Sequence, residues 1–156
     1  MTKLLFVVSL AISGLASSAA TACDCVIQRL SEQYGSAHTV FLGEVVSVKN
    51  TVWETPKFFM RMGTQETKVR VLEAFKGELP SEVIVNGDLD YTTCSVSFTG
   101  PGEIRLIFLN SEGSIGERCG ATQTVHPGVN LEYHQKIFEE LRLLRSSQLK
   151  SSQYSR

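Results

Sequence analysis

The chain has 156 residues, 42% of them hydrophobic and 20% charged, with 12 Gly, 4 Pro and 4 Cys. These are globular proportions, and they exclude collagen-like, low-complexity and wholly disordered chains. Fifteen basic residues stand against sixteen acidic ones, so no overall basic field points to a nucleic-acid partner.

The first element is a targeting segment. Lys3 precedes an apolar run over 4–12, and a Gly/Ser/Ala-rich stretch ends in Ala20-Thr21-Ala22, a small-x-small cleavage site. The run is too short to cross a bilayer, so no membrane span is expected. Residues 1–22 read as a secretory signal peptide, and export places the mature protein outside the cell or in the periplasm. Cleavage leaves a chain that starts at Cys23 with a net charge of −2, since Lys3 is the one charged residue removed. The same tetrapeptide, Ala20-Thr21-Ala22-Cys23, loosely fits a lipoprotein signal. Against that, about ten residues separate Ile12 from Cys23, and a lipidated Cys23 leaves three cysteines, one of them unpaired. Ordinary cleavage with a free amine is expected, followed by one domain over 23–145.

Within that domain, 26–34 reads as a short helix stopped by Gly35. Residues 39–48 (TVFLGEVVSV) are β-branched and aromatic, a strand in which Gly43 suggests a bulge or bend. A long irregular connection is expected over 49–64, holding Trp53, Pro56 and Phe58-Phe59-Met60; these aromatics read as satellite core packing or as a binding loop. The stretch 66–75 alternates, with Val69, Val71 and Phe75 on one face and Lys68, Arg70 and Leu72 on the other. Lys76-Gly77 marks a turn, 82–85 a brief third strand, and a loop runs through Asp88-Leu89-Asp90-Tyr91 to Cys94. A fourth strand is expected at 104–109, a turn at Glu112-Gly113 and a fifth strand at 115–119. Five short strands spaced by turn signals predict a mainly β fold built on a small closed or sandwiched sheet. Beyond Pro127-Gly128 the period becomes helical. Asn130 is placed as N-cap, and Leu131, His134, Ile137, Phe138, Leu141 and Leu144 form a stripe to about Arg145. The Ser/Gln/Lys-rich residues 146–156 read as a disordered tail.

No Ser/His/Asp arrangement, paired carboxylate or Gly-rich phosphate loop stands out, so the chain is not read as an enzyme and no cofactor is implied. His38, His126 and His134 lack ligand spacing and read as surface or core residues.

The chemistry-bearing pattern is the cysteines: Cys23, Cys25, Cys94 and Cys119, all after the cleavage site. An even number in an exported chain reads as two disulfides, with three possible pairings. A Cys23–Cys25 bridge closes a strained ring and is disfavoured. Each remaining pairing ties the N-terminus to two distant points through loops of about 70 to 95 residues. On the chain-entropy account each bridge contributes roughly 4 kcal/mol. The mature N-terminus is therefore clamped.

A mature start at Cys-x-Cys, followed by Phe41-x-Gly43-x-Val45, Phe75-Lys76-Gly77 and two spaced cysteines, resembles the N-terminal domain of the tissue inhibitors of metalloproteinases, over about 23–145. The resemblance implies a netrin-like module, a five-stranded OB-like barrel with a short N-terminal helix and a C-terminal helix. It implies the disulfides Cys23–Cys94 and Cys25–Cys119. It also implies inhibition of a zinc metalloprotease, the partner, by a monomer whose Cys23 amine and carbonyl chelate the target's catalytic zinc. Asp24, Cys25 and Val26 would form one part of the inhibitory ridge, with residue 24 entering the first primed-side pocket; Tyr91, Thr92, Thr93 and Cys94 would form the other. Asp24 stands where the family carries Thr or Ser, Ile27 where it often carries Pro, and a third disulfide and a cysteine-rich second domain have no counterpart here. The alternative function is a non-inhibitory netrin-like module that binds a protein or glycan of the extracellular space or envelope.

Overall fold

The computed structural model describes residues 28–54, 61–90, 96–115, 122–126 and 128–154. Helix α1 (Leu30–Ser36) comes first. It includes Gly35, the residue at which the sequence places its end. The end is set one residue later by a cation: Lys76 Nζ donates to the carbonyls of Tyr34, Gly35 and Ala37 at 2.7, 3.1 and 2.6 Å. An ammonium at a helix C-terminus satisfies carbonyls that have no partner in the helix and complements its dipole. At the other end, the Glu32 carboxylate accepts the Arg29 N–H at 3.1 Å.

The chain then builds one antiparallel sheet from β1 (Thr39–Glu54), β2 (Arg61–Lys76), β3 (Glu82–Asp90), β4 (Ile104–Leu109) and β5 (Gln123–Thr124), in the order β3-β2-β1-β4-β5. The fold is thus mainly β, as expected. Three boundaries differ from the sequence reading. The expected irregular connection at 49–64 is largely paired strand, since the ladder runs on from Lys49↔Glu66 to Glu54↔Arg61; residues 55–60 lie outside the described residues. Strand β3 continues past Val85 because Asn86 to Asp90 pair with Glu66 to Met62 of that same lengthened β2. The fifth strand lies at Gln123–Thr124. Ile115 makes an isolated bridge to Leu109, and 116–119 lie outside the described residues. The Asn110 side chain shapes the preceding turn, accepting the N–H groups of Glu112 and Ser114 at 2.9 and 3.1 Å.

The sheet is not closed. Among the described residues, one edge strand, β3, touches the segment after β4 through a single parallel bridge, Asn86↔Ser114. Register shifts between Val40/Phe41, Leu42/Gly43 and Val45/Ser47 bend β1. Gly43 is required at its shift. A Cβ there would lie 2.4 Å from Val69 Cγ1 and 3.2 Å from the Arg70 carbonyl.

Apolar residues cover both faces. On one face Phe41, Val45, Val69, Val85, Phe98, Ile107 and Leu109 form a core. On the other, Val40, Phe75, Leu106 and Phe108 pack with Tyr34 of α1 and Leu141 of α2 (Leu131–Tyr154). Asn130 precedes α2 with φ of +50°, a conformation that Asn tolerates, and its carbonyl accepts the His134 N–H at 3.1 Å. The helix does not stop near Arg145 to leave a disordered tail; it continues to Tyr154. Ser, Gln and Lys carry only modest helix penalties, no Gly or Pro follows Asn130, and the Tyr34 hydroxyl stands 3.2 Å from the Gln148 side-chain oxygen. Arg142 adds a two-pronged contact to Glu73 at 2.8 and 2.7 Å, and Arg145 donates to the Ala74 carbonyl at 2.6 Å. Among the described residues no helix is long and apolar enough to cross a membrane.

Candidate functional site

The predicted ridge residues Cys23, Asp24, Cys25, Val26, Tyr91, Thr92, Thr93 and Cys94 lie outside the described residues. So does Cys119, and with it both expected disulfides. What is described is the chain on either side of 91–95, up to Asp90 and from Val96.

Strand β3 delivers the chain to Asp90, paired with Met62 at the far end of β2. After Cys94 the described chain resumes at Val96, whose carbonyl oxygen lies 3.6 Å from where a Cβ on Gly87 would sit. Ser97, Phe98 and Thr99 belong to no strand, so their backbone groups need partners from elsewhere. Side chains supply them. The buried Gln65 amide of β2 accepts the Phe98 N–H at 2.7 Å and donates to the Phe98 carbonyl at 3.1 Å, exchanging both bonds as a neighbouring strand residue would. Its NH2 also donates to Asn50 Oδ1 at 3.0 Å.

From the other side come Glu103 and Arg105, each with 9% of its side chain exposed and 2.7 Å apart. Glu103 accepts the Thr99 N–H at 2.8 Å and the Thr99 hydroxyl at 3.0 Å, and its second oxygen accepts from Arg105 Nε and, at 3.2 Å, from the Thr124 hydroxyl. Arg105 donates to the Ser97 carbonyl at 2.7 Å and lies over the Phe98 ring, 4.8 Å from its centre. A nearly buried ion pair is costly unless its lone pairs and protons are used; here the carboxylate accepts four hydrogen bonds and Arg105 donates two. Burial pushes the Glu103 carboxyl up, but the bonds from the Thr99 amide and from Arg105, with the Arg105 charge, outweigh it and hold the group below the usual carboxylate range. Three consecutive residues, beginning three after Cys94, are therefore each fixed by a side chain from the sheet or the approach to it.

The motif residues that carry the family resemblance have structural duties. Phe41 and Val45 fill the first core and Gly43 lets β1 and β2 close over Val69. Phe75 lies in the second core, stacked on Phe138 at 5.8 Å between ring centres. Lys76 caps α1, and Gly77 turns at φ +81° beside Thr39. His38 and His126 are exposed and His134 is buried, its Nδ1 without a partner among the described residues. No group of three His, Cys, Asp or Glu that could hold a metal occurs among the described residues.

The holding residues Gln65, Glu103 and Arg105 are absent from the sequence reading. For Gln65 a signal exists. The inward phase of Val69 extends back through Thr67 to Gln65, and a polar residue on an inward position needs a buried partner. Nothing local singles out Glu103 or Arg105, whose partners lie on other segments. No protein-family model matches the chain, and no curated protein matches it.

Proposed function

We propose that the chain is an exported, monomeric inhibitor of zinc metalloproteases, an OB-like netrin module that acts through the amine and carbonyl of Cys23. The observation that carries the reading is the triple anchoring of Ser97, Phe98 and Thr99. An inhibitor of this kind needs a contact ridge whose ordering cost is met before binding, and the chain beyond Cys94 is held in that way. The barrel is supported by the β1-β2-β3 meander, by β4 alongside β1, and by the Asn86↔Ser114 bridge, a contact through which such a sheet curls towards closure.

The chemistry follows from the target's open zinc position. The α-amino nitrogen and carbonyl oxygen of Cys23 form a five-membered chelate there and displace the bound water. The amine ligates when neutral, and an α-amino pKa of about 7.7–8.0 makes that form accessible at neutral pH. Bonds Cys23–Cys94 and Cys25–Cys119 hold the terminus in place. Asp24 then sets the target: a carboxylate buried without a partner is expensive, so the pocket it enters is basic or wide. The test is to extend the mature protein by one residue before Cys23, or to acetylate its amine. Inhibition of a zinc-protease panel should be lost with the disulfide map unchanged; equal inhibition by blocked and free forms would overturn the chelation.

A second reading, a non-inhibitory module that binds a protein or glycan, draws on the length of the β1–β2 hairpin. Its paired arms run to Glu54 and Arg61, with Val52 45% exposed, and Phe58-Phe59-Met60 joins them in sequence. Binding that survives zinc chelators and is lost in Phe58→Ser/Phe59→Ser selects that reading.

A further inference from the structure

Residues 96–103 lie against the first core without joining the sheet as a strand. Phe98, 4% exposed, is the side chain this segment lends to that core. Its downstream end is tied to β1 by backbone bonds: the Gly102 N–H donates to the Val45 carbonyl and the Val45 N–H to the Glu103 carbonyl, both at 2.8 Å. Upstream of Gly100, the bonds found at Ser97, Phe98 and Thr99 go to the side chains of Arg105, Gln65 and Glu103. Between the two regimes stands Gly100-Pro101-Gly102, where a Cβ on either glycine would meet nothing within 4 Å. The segment is a strap, with room to turn at one end and polar anchors along its length.

Two of those anchors depend on one carboxylate. Glu103 accepts the Thr99 N–H and hydroxyl directly. It is also the counter-charge of Arg105, which holds the Ser97 carbonyl and lies against the Phe98 ring with 9% of its side chain exposed. A proton on Glu103 turns one acceptor oxygen into a donor, so the four bonds that the carboxylate accepts cannot all persist. It also leaves the Arg105 charge buried without a partner, which is costlier than a lost bond. Hydrating that guanidinium requires the groups that cover it, the Ser97 carbonyl and the Phe98 ring, to move away.

We infer that residues 96–103 form an acid-released strap, which protonation of Glu103 lifts from the first core about the Gly100-Pro101-Gly102 turn while the sheet stays folded. The inference does not depend on zinc chelation. Facing the carboxylate are Arg105 of β4, the Thr124 hydroxyl of β5 and Thr99 of the strap itself; β1 meets Glu103 through the Val45 amide, and the neighbouring Glu44 is paired with Arg70. Among the described residues Arg105 is thus the one charged group acting on it. Burial pushes the carboxyl up, but its bonds to Thr99 and Arg105 outweigh this and hold it low. The closed strap therefore binds the proton less readily than the open one, and acid shifts the balance towards open. Gln65 carries no charge, and its two bonds to Phe98 oppose lifting at every pH.

The test is amide exchange of the intact chain from about pH 6 to about pH 3.3, expressed as protection so that the intrinsic pH dependence of exchange is removed. Phe98 and Thr99 report on the strap, Phe41 and Ile107 on the sheet. At about pH 3.3 a solvated glutamate with the ordinary pKa of about 4.3 is about nine-tenths protonated, so the opening constant rises by at most about tenfold. Protection at Phe98 and Thr99 should fall together, several-fold and within that ceiling, while Phe41 and Ile107 keep theirs. Glu103→Gln, an uncharged isostere of the protonated acid, should show the low strap protection at every pH. Glu73→Gln, which breaks the pair with Arg142 beside the second core, should keep the wild-type profile. Thr99 losing protection alone overturns the inference, since one bond is then lost without lifting. Strap and sheet amides falling in parallel overturn it as global acid unfolding, and a flattened profile in Glu73→Gln or a wild-type one in Glu103→Gln removes Glu103 as the cause. Should Glu103→Gln not fold, Thr99→Val removes one exposed donor to the carboxylate. Lower protection at Phe98 near pH 6, with a smaller fall on acidification, then supports the strap, and a wild-type profile overturns it.

Discussion

Two glycines show how a single position reads its surroundings. At Gly43 an added Cβ would meet Val69 Cγ1 at 2.4 Å, the Phe41 ring at 3.1 Å and the Arg70 carbonyl at 3.2 Å. Val69 is β-branched and fully buried, so it has no free rotamer into which to retreat. At Gly35, within α1, nothing lies within 4 Å. The same substitution should therefore have opposite signs. Gly43→Ala is expected to cost about 1–3 kcal/mol through overpacking. Gly35→Ala is expected to add about 0.5–1 kcal/mol by relieving the entropy of a helical glycine. Urea denaturation of both variants checks this, and a neutral Gly43→Ala would mean that β1 and β2 separate more easily than their register suggests. The contrast also marks what is legible in a sequence. That Gly43 interrupts a strand can be read from its apolar, β-branched neighbours. That Gly35 does not end its helix cannot, because the residue that sets the end, Lys76, is 41 positions away.

At the scale of elements, sequence is most informative where one face is buried and the other wet. The inward phase of Val69 and the helical stripe through Leu141 are clear for that reason; Phe75, read in phase with Val69, instead faces the opposite core, because the register shifts at Val40/Phe41 and Leu42/Gly43 change the phase of β2 between them. The outer half of the β1–β2 hairpin is not clear: Thr51 and Val52 of β1 are both exposed, and on β2 the buried positions that alternate with exposed Thr64 and Glu66 hold Gly63, Gln65 and Thr67, so burial alternates without an apolar pattern to read. For the site, the cysteines announce themselves by number and by position after the expected cleavage site, whereas the side chains that hold 97–99 can be identified only once the strands are assembled. That segment carries a pH signature. The Glu103 carboxyl is held below its ordinary range by Thr99 and Arg105 against the effect of burial, and the Glu73 carboxyl is lowered chiefly by its bond to Arg142. A carboxyl with a lowered folded pKa binds fewer protons than in the unfolded chain. Its stabilisation is complete above the unfolded value of about 4.3 and is lost as pH falls through the folded value. Denaturation midpoints should therefore hold level above about pH 5 and fall below about pH 4, with a shallower acid branch in Glu103→Gln. Parallel acid branches in the two proteins would show that Glu103 contributes nothing to the linkage.

At the scale of the molecule, the two cores share one set of strands. Val40 faces α1 and α2 while Phe41, the next residue, faces the other core; on β4, Leu106 and Phe108 alternate with Ile107 and Leu109 in the same way. Neither core can come apart without displacing backbone that the other depends on, so helix and sheet are expected to unfold as one cooperative unit. Polar contacts between α2 and the sheet reinforce this only weakly. The Arg142–Glu73 pair keeps 53% and 33% of its side chains exposed, and such pairs are typically worth below about 1 kcal/mol. Leu141, by contrast, is fully buried among Tyr34, Val40, Phe75, Leu106 and Phe108. Leu141→Ala should cost about 2–5 kcal/mol through lost burial and the cavity left behind. That loss should lower the whole protein's transition and not release the helix alone. The measurement is denaturant unfolding of the variant followed by helical circular dichroism and, in parallel, by amide exchange at Phe41 and Ile107, which face away from α2. Coincident transitions, both shifted by the same amount, are the expected result. A helical signal lost at lower denaturant, with Phe41 and Ile107 still protected as in wild type, would mean that α2 is a separable attachment and that the sheet with its first core stands without it.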